Sequence, residues 1–214
     1  MRLLTIVFFM FSLNANAALI LDQSFDSSNI QTGANFSQGS FGLFDDFVLA
    51  DTYSIDSISF WGGYWSSGAQ PATPNFRVQI RSSTSVADIV YDSLINPVGV
   101  FDTGYNHNGS SNGDILRFDV VFNDLILGAG SYFITFSSQN SPSGTSFYWQ
   151  RLRGSGDRAS GSLGGELSTF TALNLALAIE GSQAQQPPSV PEPASIVLLG
   201  LGLAGLAARR RVKA

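Results

Sequence analysis

Apolar and polar residues alternate with a period of two through much of this chain. Phe76, Val78 and Ile80 are separated by Arg77, Gln79 and Arg81, while Leu116, Phe118, Val120 and Phe122 enclose Arg117, Asp119 and Val121. Tyr132, Ile134 and Phe136 repeat the pattern, and Leu173, Leu175, Leu177 and Ile179 alternate with Asn174, Ala176, Ala178 and Glu180. Such a period places successive side chains on opposite faces, so each segment predicts a strand with one face buried. Further strands are predicted over 46–50, 55–61, 88–94 and 147–153, separated by turn-rich stretches at 65–74, 105–113, 128–130, 138–144 and 154–165. No interior window holds a helical stripe. About eight strands at irregular spacing predict an all-β fold: a two-sheet antiparallel β-sandwich, jelly-roll-like, with an open barrel as the alternative.

Both ends leave this pattern. Residues 194–208 contain only Ala, Ser, Ile, Val, Leu and Gly, and Arg209, Arg210 and Arg211 follow. As a helix the run rises ~22 Å, less than the ~30 Å hydrocarbon core of a bilayer. The three arginines snorkel to the headgroups and favour the cytoplasmic side. Ahead of the run stands Val190-Pro191-Glu192-Pro193, whose prolines hold the backbone around Glu192 extended and outside the helix. At the other end, Arg2, an apolar stretch over 3–13 and Ala15-Asn16-Ala17 read as a signal peptide that signal peptidase cuts after Ala17. The expected organisation is a signal peptide (1–17), a sandwich domain (18–182), an extended Pro/Gln linker (183–189) and a tail (190–214) with its membrane helix at 194–208.

The tail resembles the PEP-CTERM sorting signal, which combines a Pro-Glu-Pro box, a short membrane helix and a basic cluster. Val190, Pro191, Glu192 and Pro193 stand in the box, and Arg209, Arg210 and Arg211 in the cluster. The resemblance implies a secreted protein of exopolysaccharide-producing Gram-negative bacteria. It is held in the membrane by its helix until an exosortase processes the tail, and it then resides at the cell surface or outside the cell. Within the domain, Phe44-Asp45-Asp46-Phe47-Val48-Leu49 followed by Ile55-Asp56-Ser57-Ile58-Ser59-Phe60-Trp61-Gly62-Gly63-Tyr64 resembles a recurrent module of such proteins. Phe76-Arg77-Val78-Gln79-Ile80 and Leu177-Ala178-Ile179-Glu180-Gly181 resemble its later strands. That likeness implies a β-sandwich in an extracellular setting and no particular reaction.

Charge narrows the partners. Residues 18–189 hold thirteen Asp and two Glu against six Arg and no Lys, a net charge of −9 where the whole chain carries −5. Such a surface repels nucleic acid, and it repels anionic polymers unless a divalent cation bridges them. Cysteine is absent, so no disulfide supports the fold; a domain of about 170 residues buries enough apolar surface without one.

Few constellations could carry chemistry. With no Cys and His107 the only His, the usual zinc sets cannot be built; His107, in a polar stretch, is expected to be solvated. Gly109-Ser110-Ser111-Asn112-Gly113 fits Gly-x-Ser-x-Gly but precedes a predicted strand, where a nucleophile elbow needs a helix. Glu166 and Glu180 are the only Glu residues of the exported part that could form a glycosidase pair. Asp45 and Asp46, and the stretch from Asp102 to Asp114 with Asn106, Asn108 and Asn112, offer oxygens to calcium or cap their own turns. Trp61, Tyr64, Trp65 and Trp149 either pack in the core or stack on sugar rings, with Tyr64 and Trp65 the expected exposed pair. The reading is a non-catalytic, exported surface sandwich associated with exopolysaccharide and biofilm. It either binds carbohydrate or is purely structural, with a glycosidase as the more distant alternative.

Overall fold

A computed structural model describes residues 17–29, 36–65, 70–107 and 113–184, with backbone alone at 29, 154–157 and 170–173. The signal peptide up to Asn16, the Gly-x-Ser-x-Gly stretch before Gly113, the linker from residue 185 and the whole sorting tail lie outside the described residues. Met1–Gln183 forms one compact unit and Ala184–Ala214 a second, of which only Ala184 is described. Among the described residues no helix is long and apolar enough to cross a membrane.

The described residues form twelve strands: β1 (Ala18–Gln23), β2 (Phe41–Leu49), β3 (Tyr53–Trp65), β4 (Phe76–Arg81), β5 (Ile89–Ile95), β6 (Gly99–Asn106), β7 (Asp114–Leu127), β8 (Gly130–Ser138), β9 (Ser146–Trp149), β10 (Arg151–Ser162), β11 (Leu167–Leu175) and β12 (Leu177–Gln183). One sheet runs β1-β12-β3-β7-β6 with β9 also paired to β3, and the other runs β11-β10-β2-β8-β4-β5. All pairings are antiparallel. Their inner faces meet in one apolar core, as expected of a β-sandwich.

Phe60 stands at the centre of that core. Its ring stacks on Phe136 of the opposite sheet at 3.9 Å and on Phe118 of its own at 5.1 Å, and meets Phe76 edge-on at 5.0 Å. Full burial of one such side chain contributes about 1.5–3 kcal/mol, and offset or edge contacts between rings add about 0.5–1.5 kcal/mol. Phenylalanine packing thus replaces the missing disulfides.

The strands differ from the predicted set in an instructive way. β1 and β6 were not among the predicted strands, and most of β10 was expected as a turn-rich stretch. Edge strand β6 pairs only with β7, and glycine-rich β10 is held by β2 on one side and β11 on the other. Two segments predicted as continuous strands each divide. The 147–153 segment breaks at Gln150 between β9 and β10, and the segment through Leu173 and Ile179 breaks at Ala176 between β11 and β12. Each break passes the chain from one sheet to the other, the corner device of sandwiches. The corners are tied together: Ala176 N–H donates to Gln150 O (2.9 Å), Gln150 N–H to Trp61 O (2.8 Å) and Trp61 N–H to Ala176 O (3.1 Å). Leu175 and Leu177 both stay in the core across the bend, so the period of two survives it.

The outer face of the second sheet is covered by its own β10–β11 turn. Leu163 and Leu167 pack there on Phe44 and Ala159. Fully buried Arg81 reaches across the same face: Nε donates to Gln79 Oε1 (2.8 Å), Nη1 to Gly165 O (2.8 Å) and Nη2 to Leu163 O (3.0 Å), with the guanidinium 5.1 Å from the Phe44 ring centre.

Candidate functional site

The aromatic candidates separate by sheet face. Tyr64 and Trp149 point into the sandwich core, Trp149 with no exposed surface and its indole N–H donating to Ala176 O (2.9 Å). Burial pushes the Tyr64 hydroxyl pKa up to about 12. The expectation that Tyr64 is exposed is therefore corrected: two glycines before it do not end the strand, and β3 carries the ring inward against Phe147 at 5.5 Å. Trp61 does point outward but is buried as well, in a second cluster with Ile115, Leu152, Ala176 and Ala178 onto which Phe25 folds. Trp65 is half-buried, edge-on to Phe36, His107 and Tyr148. Three of the four are buried, and Trp65 alone keeps part of its surface exposed.

His107 is buried, not solvated. Gln150 Nε2 donates to Arg151 O (2.7 Å), which leaves Gln150 Oε1 to accept from His107 Nδ1 at 3.1 Å. Burial lowers the imidazole pKa, the Gln150 bond opposes that shift and the charge of Arg151 reinforces it.

The carboxylates do not gather. Asp45 is buried and Asp46, its neighbour on β2, faces the other way, while Asp102 and Asp114 are exposed on β6 and β7. Asp102 accepts the Gly104 N–H at 2.8 Å, a turn-capping role. Among the described residues no three His, Cys, Asp or Glu side chains are grouped to hold a metal ion. Glu166 caps the short turn at Val86, accepting its N–H at 3.3 Å, whereas Glu180 on β12 of the other sheet accepts from Ser57 Oγ at 3.1 Å. These two glutamates therefore belong to different sheets.

A site absent from the sequence expectations lies where edge strand β1 of one sheet approaches edge strand β11 of the other. An open cleft of about 340 Å³ is lined by Asp22, Gln23, Ser24, Asp26, Leu152, Arg153 and Asn174. Asp22 Oδ1 accepts the Ser24 N–H (3.0 Å) and Oγ–H (2.5 Å), and Asp26 accepts the Ser28 N–H (2.9 Å) and Oγ–H (2.8 Å). For Asp22 the Ser24 hydroxyl is the larger cause and for Asp26 the Ser28 amide; both carboxyl pKa values are lowered. Asn174 Oδ1 is buried without a hydrogen-bond partner.

Gln23 forms the floor. In the amide orientation that satisfies its surroundings, its nitrogen donates to Asp45 Oδ2 (2.9 Å) and Leu175 O (3.2 Å). Asp45 thus stands behind the cleft, not in it. Its burial drives its pKa well above the ordinary carboxyl value, with the Leu175 and Asp46 amides and Arg158 acting against that and the charge of Asp46 adding to it. No motif marked these residues, since Asp22-Gln23-Ser24-Phe25-Asp26 reads only as a polar start to the domain.

Residues 189–211 match the PEP-CTERM protein-sorting motif. The match spans the box Val190-Pro191-Glu192-Pro193, the apolar run and the three arginines. No curated protein matches the chain. The motif implies export, processing by an exosortase, and membrane anchorage before display at the cell surface.

Proposed function

We infer that this PEP-CTERM sorting-domain protein is a non-catalytic β-sandwich of the cell surface or extracellular matrix, associated with exopolysaccharide. The observation that carries the reading is the sorting motif at 189–211, close behind a sandwich whose last strand ends at Gln183. The strand orders β1-β12-β3-β7 and β2-β8-β4-β5 support a jelly-roll winding, with β6, β9, β10 and β11 as additions. Absence of catalysis is supported by the carboxyl groups. General acid catalysis on a glycosidic bond needs a carboxyl whose pKa is raised beside the substrate. Both carboxyls lining the cleft are shifted the other way, and the one that is raised, Asp45, is buried behind Gln23.

A purely structural matrix protein is the second reading, favoured by the burial of Trp61 and Trp149. Sorting is tested by replacing Pro191, Glu192 and Pro193 together with Ala in a host that carries the matching exosortase. The expected product is a full-length, membrane-retained chain, measured by fractionation and intact mass. Wild-type processing of the triple variant would leave an ordinary tail anchor and remove the exosortase from the account.

A further inference from the structure

We propose that the cleft between β1 and β11 binds a neutral, hydroxyl-rich sugar unit of a polysaccharide through Asp22, Gln23, Arg153 and Asn174. The inference rests on the surface reading above and adds a site and a ligand class to it. Size comes first: about 340 Å³ is at the small end of the 300–1,000 Å³ range of ligand sites and suits one or two sugar rings, not an extended peptide.

The lining selects the chemistry. Carboxylates only accept hydrogen bonds, guanidinium only donates, and amides do both. A sugar hydroxyl donates and accepts, so one ring can pair with all of these groups. The buried, unpartnered Asn174 Oδ1 needs a donor, and leaving such a group unsatisfied costs about 1–3 kcal/mol. Turning of the Asn174 side chain toward the cleft that it lines lets an incoming hydroxyl supply that donor.

Charge selects against the alternatives. Two carboxylates face one guanidinium in the lining, within a domain of net charge −9, so a uronic acid meets net repulsion. Asp22 and Asp26 each spend part of their acceptor capacity on a neighbouring serine. Among the described residues no metal-holding group of three ligands exists. A neutral sugar is the class that remains.

The test is affinity electrophoresis of the processed, exported protein through gels containing a neutral β-glucan, a neutral mannan, alginate as the uronate polymer, or the producer's own exopolysaccharide. At least one neutral polymer or the producer's polymer is expected to retard the protein, and alginate is not. Asn174→Leu and Arg153→Ala are expected to bind about tenfold more weakly, the loss of roughly one net hydrogen bond. Arg153 is exposed, so its replacement keeps the fold even if Asn174→Leu does not, and thermal melts of both variants establish this. Trp65→Ala is expected to bind as wild type. Retardation that both cleft variants share equally with wild type overturns the cleft while sparing the surface reading. Retardation by alginate alone, or by none of the four polymers, overturns the neutral-sugar assignment. The processing experiment on residues 191–193 decides the surface reading independently.

Discussion

Arg81→Met removes the pin that holds the β10–β11 turn on the outer face of its sheet. Of the guanidinium's bonds, those to Gln79 and Leu163 are buried, while those to Gly165 and Ser162 are partly so. A hydrogen bond from a charged donor contributes about 1.5–3 kcal/mol. The carbonyls of Gly165 and Ser162 can rehydrate when the turn lifts, and Leu163 O keeps the Gln79 amide at 3.1 Å. Counting only the two buried bonds near the lower value gives a loss of about 3–4 kcal/mol. Methionine packs on Phe44 and avoids the cost of desolvating a cation, which offsets roughly 1 kcal/mol. The net expectation is about 2–3 kcal/mol, or a melting temperature lowered by about 4–12 °C for a domain of this size. Arg81→Lys should fall most of the way with it, because one ammonium cannot span Gln79, Leu163 and Gly165. Calorimetry measures the loss, and hydrogen exchange should localise it to 159–167. A change within about 0.5 kcal/mol, the range of ordinary surface substitutions, would refute the pin.

Two further outcomes are expected. Asp45 carries a raised pKa in the folded state, so its contribution is fully present below the unfolded value near 3.9 and is lost as pH rises through the folded value. Asp45→Asn should therefore melt higher than wild type at pH 7–8 and converge with it near pH 4. A less stable variant at neutral pH would mean that the carboxyl is ionised and supported by Arg158. Gly63→Ala would place a methyl against the Asp114 carbonyl oxygen and 2.8 Å from Tyr148 Oη. It should cost about 1–3 kcal/mol by overpacking in urea unfolding, and no loss would show that β3 and β7 can part locally.

How much of this was visible in the sequence follows from what alternation encodes. A period of two reports which residues face inward, and it located β4, β7, β8 and β12, whose inner residues Phe76, Phe118, Ile134 and Ile179 are fully buried. It does not report which sheet a residue joins. The corners at Gln150 and Ala176 were therefore invisible, and at Ala176 the period runs from Leu175 to Leu177 unchanged. Nor does it report what covers an outward residue. Trp61 was read as outward or core, and it is both outward and buried, because Phe25 and Leu152 cover it from distant parts of the chain. His107 was missed for the same reason, lying beneath Trp65 and Tyr148. The cleft joins three strands and a connecting segment, and local sequence carries no trace of that meeting. The tail was readable because its signal is linear: a box, an apolar run and a charge cluster in order.

Ala18 pairs with Gly181, and β12 lies between β1 and β3 instead of at an edge. The first and last strands are thus neighbours, and the last one is structural interior. Until residue 183 has emerged, β1 has no partner and β3 lacks one flank. Secretion and folding are thereby ordered in time: the sandwich stays open through nearly the whole of translocation and closes as the apolar tail arrives. Contacts of such large sequence separation form slowly. Closure of the first sheet thus waits for the segment that directly precedes the sorting motif, so export and folding of the domain finish together.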